Sequence, residues 1–188
     1  SPNELLNIAG VGVGGQGLTD IMNCRKENVV ALCDVDWDRA GEAFYKLPDA
    51  KRYKDFRKML EEMPDIDAVT VSTPDFMHAQ VAYMAMKLGK HVYVQKPLAH
   101  TPMEARLLTR TAKEMGVSTQ MGNQGHSGSG ARQFCEIFWS GAIGEVREAH
   151  AWTDRPGGRW HRDPALLDSG QAVPDTMDWE LWLGGGPR

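Results

Sequence analysis

Cysteine, long apolar runs and excess positive charge are all scarce in this 188-residue chain, and each shortage removes a class of protein. Cys24, Cys33 and Cys135 are an odd number without metal-ligand spacing. They argue against a disulfide framework and read as buried free thiols. No apolar stretch approaches the roughly 20 residues of a membrane-spanning helix. Lys and Arg total 21 against 25 Asp and Glu, and the net charge of −4 carries no basic cluster, so nucleic acid is not expected as a main partner. Internal repeats and low-complexity segments are also absent. What remains, 41% hydrophobic and 24% charged, suits a soluble globular protein of one domain or one and a fraction.

The most informative stretch is Leu5 to Gly17, LLNIAGVGVGGQG. Leu5, Leu6, Ile8, Ala9 and Val11 form a nearly unbroken apolar run, the pattern of a strand covered on both faces in a parallel sheet. The glycines that follow match G-x-G-x-x-G as Gly12-x-Gly14-x-x-Gly17, the fingerprint of a dinucleotide-binding turn. A second frame, Gly10-x-Gly12-x-x-Gly15, also fits. The first leaves the apolar run to the strand and starts the helix near Gly15 and Gln16, where free N–H groups can hold phosphate. A helix over Leu18 to Met22 and a second apolar run, Asn28 to Cys33, then lead to Asp34. An acid about 20 residues past the glycines is placed to accept both adenosine-ribose hydroxyls and to repel a 2′-phosphate, which favours NAD over NADP.

Further along, Asp36 to Lys46 has helical spacing, and Asp55 is a good N-cap for a helix carrying Phe56, Met59 and Leu60. Ala68 to Ser72 reads as a third buried strand, stopped by Thr73-Pro74. A helix from about Phe76 to Leu88 follows, with His78 in its first turn open between a packed or solvated histidine and one on the cofactor side. His91 to Val94 is the next strand, with Gln95-Lys96-Pro97 at its carboxyl end, where a lysine can point into the cleft. Thr101-Pro102-Met103-Glu104 is a capping box, and Gly116 closes the helix that it opens. Val117 to Met121 is one more strand, and Gly122 to His126 a polar loop at its end. This alternation predicts a Rossmann-like doubly wound parallel α/β sheet over residues 1–122, followed over 123–188 by the beginning of a second α/β domain. In that part Ala131 to Ser140 reads as a helix with Phe134, Ile137 and Phe138 inward, and Gly141 and Gly144 frame a turn. Glu145 to Thr153 reads as a strand, Asp154 to Asp175 as a long aperiodic loop, and Asp178 to Leu183 as a short amphipathic turn.

Taken together, Gly12 to Gly17, Asp34, Ser72-Thr73-Pro74 with His78, Lys96-Pro97, Gly122-Asn123-Gln124, Gly141 to Val146 and Asp178-Trp179 with Trp182-Leu183-Gly184 resemble the glucose-fructose oxidoreductase and inositol dehydrogenase family, Gfo/Idh/MocA. The resemblance implies a Rossmann domain followed by an α/β domain with a large open sheet, and an NAD-dependent oxidoreductase moving hydride between a secondary hydroxyl of a sugar or cyclitol and the nicotinamide. It implies cofactor contacts from Gly12, Gly14, Gly15, Gln16, Gly17, Asp34, Ser72, Thr73, Pro74, His78, Gln95, Lys96 and Asn123. Lys96 is implied as the catalytic residue that accepts or relays the hydroxyl proton.

Two departures stand out. The family motif is usually Glu-Lys-Pro, whereas Gln95 precedes Lys96 here. About 65 residues follow Asn123, too few for the second domain, so a fragment or a short form is expected, homo-oligomeric if full length. His126, Arg155, Trp160 and His161 are the candidates left for substrate contact. His126, His161 and Asp163 are too irregularly spaced for a metal site, and none is expected. A glycosidase that uses bound NAD for transient oxidation, and an inactive nucleotide-binding fragment, are the alternative readings. The visible chain reads as cytoplasmic. Relatives of this kind that carry a twin-arginine leader make periplasmic export the alternative.

Overall fold

The computed structural model describes residues 4–152 and 172–184. Six strands form one parallel sheet in the order β3-β2-β1-β4-β5-β6: β1 Asn7–Val11, β2 Asn28–Cys33, β3 Lys51–Tyr53, β4 Ala68–Val71, β5 His91–Gln95 and β6 Thr119–Gly122. Between them run α1 Gln16–Asn23, α2 Gly41–Lys46, α3 Phe56–Glu62, α4 His78–Lys87 and α5 Pro102–Met115. The order reverses direction between β1 and β4, the switch point of a Rossmann-like doubly wound sheet.

Burial explains why these segments take these forms. Ala9, Val11, Ala31, Val69, Val71 and Val94, each 4% exposed or less, stack across the middle of the sheet. Helix α4 lays Val81, Ala82, Ala85 and Met86 on one face of the sheet, while Ile21 and Phe44 cover the other side with Ile8 and Leu32. The helix ends follow their local chemistry. Asp55 accepts from the Arg57 N–H at the start of α3, Thr101 and Glu104 form the capping box of α5, and Gly116 ends α5 at φ 65°.

Strand β3 is absent from the sequence-based reading, which makes β4 the fourth strand rather than the third. Lys51-Arg52-Tyr53 pairs with one neighbour only, at the edge of the sheet, so no apolar run marks it. The predicted helix over Asp36 to Lys46 begins only at Gly41, and its first residues form turns.

By contacts the chain divides into Ser1–Asn123 with Pro174–Arg188, and Gln124–Val173. The segment from Pro174 therefore belongs with the Rossmann unit, whereas the sequence-based division placed it in the second domain. In the Gln124–Val173 unit, α6 Ser129–Trp139 follows a 3-10 turn, and Gly144 N–H closes the turn onto Gly141 O at 2.9 Å. Two expectations change there. Glu145 to Trp152 pairs with no described strand and forms none, and Phe134, Ile137 and Phe138 are exposed rather than inward. A strand needs a partner for its N–H and C=O groups, and a helix face needs a packed layer; among the described residues of this unit neither is present. Among the described residues no helix is long and apolar enough to cross a membrane.

Candidate functional site

The turn after β1 is shaped by what lies against it. Gly12, at φ 76°, donates its N–H to Cys33 O at 2.8 Å, and a Cβ there would stand 2.7 Å from the Ser72 backbone. A Cβ on Gly17 would lie 1.7 Å from Gly12 O, so the first turn of α1 passes close over the strand only because residue 17 has no side chain. Close backbone approach thus requires glycine at both ends of the Gly12-x-Gly14-x-x-Gly17 frame. Gly10 of the rival frame sits within β1, and α1 begins at Gln16.

Asp34, at the carboxyl end of β2, turns its carboxylate back onto this loop. Oδ2 accepts from Val13 N–H at 2.8 Å and Gly14 N–H at 3.1 Å, and Oδ1 accepts from Asp36 N–H at 3.0 Å. Burial pushes its carboxyl above the ordinary range, against the pull of these three N–H donors. The acid holds the glycine turn in shape, and Oδ1, with one acceptor position taken, retains capacity for a hydroxyl.

A cavity of about 440 Å³ opens at the carboxyl ends of β1, β2 and β4, bordered by Gly12, Gly14, Gln16, Asp34, Ser72, Thr73 and Pro74. Thr73 Oγ1 is buried without a hydrogen-bond partner among the described residues. An orphaned hydroxyl beside a glycine turn and a carboxylate is a site shaped for a ligand rich in hydroxyl and phosphate groups.

His78 is 1% exposed and does not border this cavity. Its Nδ1 lies 2.6 Å from Pro97 O and its Nε2 2.8 Å from Thr73 O, so the ring is a strut between the segments that end β4 and β5. The ring is thus packed among backbone carbonyls. Lys96 and Asn123 are exposed and lie outside the cavity border, as do Gly15 and Gly17. His126 is exposed on the 3-10 turn Gln124–Ser127. Arg155, Trp160 and His161 lie outside the described residues.

Two features of the site are invisible to motif matching. Asp20, on the inward face of α1 with Gly17 and Ile21, is 7% exposed and accepts from Gln16 Nε2, Ser72 Oγ and Gln95 Nε2 at 2.9, 2.7 and 2.8 Å. Helical spacing from Gly17 and Ile21 would have placed it inward. The second is the return of Pro174–Gly184. Asp178 N–H donates to Val35 O at 2.8 Å, Thr176 Oγ1 donates to Asp36 Oδ1 at 3.1 Å, and Met177 bridges to Asp36. This delivers α7, Trp179–Leu183, to the cavity, where Met177, Leu181 and Trp182 form a wall and Trp182 packs edge-on against Phe76 at 5.3 Å. Its signal was the amphipathic run after Asp178.

Comparison with known proteins gives the setting. Residues 6–123 match the family described as an oxidoreductase family with an NAD-binding Rossmann fold. The chain is 30% identical over 186 residues to an inositol 2-dehydrogenase of Salmonella paratyphi B, covering 94% of this chain and 53% of that protein. It is 31% identical over 160 residues to glycosyl hydrolase family 109 protein 1 of Shewanella sp. strain ANA-3, covering 79% and 35%. The crystal structure of scyllo-inositol dehydrogenase from Lactobacillus casei, solved with NAD(H) and scyllo-inositol, superposes with a TM-score of 0.69 at 23% identity, over 76% of this chain and 43% of that one. The chain spans about half the length of the inositol dehydrogenases that it matches. The glycine frame, the acid at the end of β2, the strand order and the family match over residues 6–123 agree: this chain belongs to the Gfo/Idh/MocA oxidoreductases, a family with an NAD-binding Rossmann fold.

Proposed function

We propose that the chain supplies the NAD half of an oxidoreductase that moves hydride between a secondary hydroxyl of a sugar or cyclitol and the nicotinamide. The observation that carries this reading is the cavity at the switch point, which joins the glycine turn, Asp34 and the orphaned Thr73 hydroxyl. These residues fit the cofactor. The Gly12 to Gly17 backbone and the start of α1 suit a pyrophosphate, and Asp34 suits the ribose hydroxyls. Thr73 Oγ1 offers a hydroxyl that no described protein group uses. The negative charge of Asp34 favours NAD over NADP, because a 2′-phosphate there would face a carboxylate.

Bound NAD supplies a hydride acceptor or donor; the protein must supply the proton traffic. Lys96, at the carboxyl end of β5 and exposed, is the residue assigned to accept the hydroxyl proton as the alcohol is oxidised, and to return it in the reverse direction. Gly15 and Asn123 complete the proposed cofactor set, with Gly17, His78 and Gln95 acting through the shape of the turns. His126, Arg155, Trp160 and His161 are proposed for substrate contact, and the full-length protein as a homo-oligomer.

Calorimetric titration of this chain with NAD and NADP tests the cofactor half, and preferred binding of NAD is expected. In a longer form that turns over, Lys96→Ala should abolish hydride transfer while changing NAD affinity less than about threefold; unchanged rates would remove its role. The match to a glycosyl hydrolase family 109 protein favours one second reading, transient oxidation within a glycosidase. Release of free sugar without net NADH would select it. NAD binding without hydride exchange in any form would select an inactive nucleotide-binding module.

A further inference from the structure

Asp20 is a buried carboxylate for which, among the described residues, no cation is a partner. Three neutral side chains donate to it, from three places: Gln16 at the start of α1, Ser72 at the end of β4 and Gln95 at the end of β5. Cys24 lies one turn further along α1, and burial first, then the neighbouring Asp20 and Glu27, push its thiol up. A buried anion stabilised by hydrogen bonds alone is costly unless each bond has good geometry, and the distances of 2.7 to 2.9 Å meet that requirement.

Gln95 is the member whose chemistry is most constrained. Its Nε2 donates to Asp20, while its Oε1 accepts from Lys96 N–H at 3.3 Å. An amide presents a donor on one side and an acceptor on the other; a carboxylate at position 95 would satisfy the Lys96 N–H but set oxygen against oxygen at Asp20. Space for the amide comes from β6, where a Cβ on Gly122 would lie 2.9 Å from it. Glutamine before Lys96 and aspartate at position 20 are therefore two halves of one arrangement.

We propose that Asp20 is a positioning residue which, through an obligatory acid–amide pair with Gln95, fixes the Lys96-bearing end of β5 against the helix that follows the glycine turn. The pair keeps a carboxylate one hydrogen bond from the residue before Lys96. The proposal rests on the NAD-binding reading for its functional consequence, although the pair itself is defined without ligand.

The test is a charge-exchange cycle on this chain: Gln95→Glu, Asp20→Asn and the double variant, titrated with NAD at about pH 8 and about pH 5.5, with thermal midpoints recorded without ligand. Two carboxylates at this spacing cannot both ionise at low cost, so Gln95→Glu should bind NAD roughly tenfold more weakly at the higher pH and recover part of the loss at the lower. Asp20→Asn with Gln95→Glu reverses donor and acceptor and should return affinity to within about threefold of the wild type at both pH values. It should also restore the ligand-free midpoint that Gln95→Glu lowers. A double variant no better than Gln95→Glu in both measurements, or a Gln95→Glu loss that ignores pH, would overturn the pair. Failure of the wild-type chain to bind NAD would instead overturn the cofactor reading, and the ligand-free midpoints would then decide the pair alone.

Discussion

Replacing Asp34 by alanine removes a ribose partner and a structural clamp in one step, and the structure allows the two losses to be weighed. Three N–H groups lose their acceptor. Val13 is 1% exposed, so its N–H is left without water, at about 1–3 kcal/mol. Gly14 and Asp36 are partly exposed, so water replaces much of what they lose, leaving about 0.5–1 kcal/mol each. Relief of the buried charge works in the opposite direction, since burial disfavours the ionised carboxyl. A net loss of about 2 kcal/mol remains, or roughly 4–8 °C in midpoint for a chain of this size. One charge-assisted bond from a ribose hydroxyl to the remaining acceptor position of Oδ1, lost on mutation, weakens NAD binding by about 1.5–3 kcal/mol, roughly 10- to 100-fold. Asp34→Ala is therefore not the binding-only variant that the motif alone suggests. Calorimetry and thermal unfolding on the same sample check both numbers. An unmoved midpoint would refute the clamp, and unmoved affinity would refute the ribose assignment. Asp34→Asn separates charge from shape: the ratio of NAD to NADP affinity should fall, and an unchanged ratio would mean that charge is not the discriminator. The pH dependence has a definite sign. The folded-state carboxyl titrates above its ordinary value of 3.8, so the fold loses stability as pH rises from 3.8 through the raised value. The alanine variant should lack that loss.

Thr73→Val should raise the ligand-free stability by about 1 kcal/mol, because it removes a buried hydroxyl without a partner, while weakening NAD binding several-fold; a stability loss on denaturant unfolding would contradict this. Gly17→Ala should abolish NAD binding and destabilise the chain by more than about 3 kcal/mol, since its methyl would overlap Gly12 O, and a well-folded, binding-competent variant would refute the close approach. Asp55→Ala should cost about 1 kcal/mol through loss of the α3 cap. Arg57 holds the Asp55 carboxyl below its ordinary value of 3.8, so this stabilisation is present above 3.8 and disappears as pH falls through the lowered value; a variant whose acid-unfolding curve matched the wild type would argue against it.

Features with local causes were legible in the sequence. The buried strands β1, β2, β4 and β5 appear as apolar runs, and the Asp55 cap and the Thr101–Glu104 capping box as short patterns of fixed spacing. Features whose cause lies far along the chain were not. Asp20 takes its meaning from Ser72 and Gln95, which are 52 and 75 residues away, and Thr176 finds Asp36 across 140. The edge strand Lys51–Tyr53 lacked a signal for a different reason, since a strand with one neighbour and charged side chains has no apolar requirement. His78 shows the limit of motif matching most clearly. Its presence near Thr73-Pro74 was plain, but whether it faced a ligand or braced two carbonyls depended on where Pro97 lies.

Because Pro174–Gly184 returns to pair with Val35 and Asp36, the cofactor unit is discontinuous along the chain, with Gln124–Val173 inserted into it. During synthesis the first six strands emerge without the wall formed by Met177, Leu181 and Trp182, and the cavity is completed only by its last contributor. Closing the intervening stretch carries an entropic cost of roughly 3–4 kcal/mol, which the Trp182–Phe76 contact and the bonds to Val35 and Asp36 must offset. A nucleotide-binding module transplanted by cutting at residue 123 would keep the fingerprint and lose a side of its pocket. The site is built from two segments of sequence, not one.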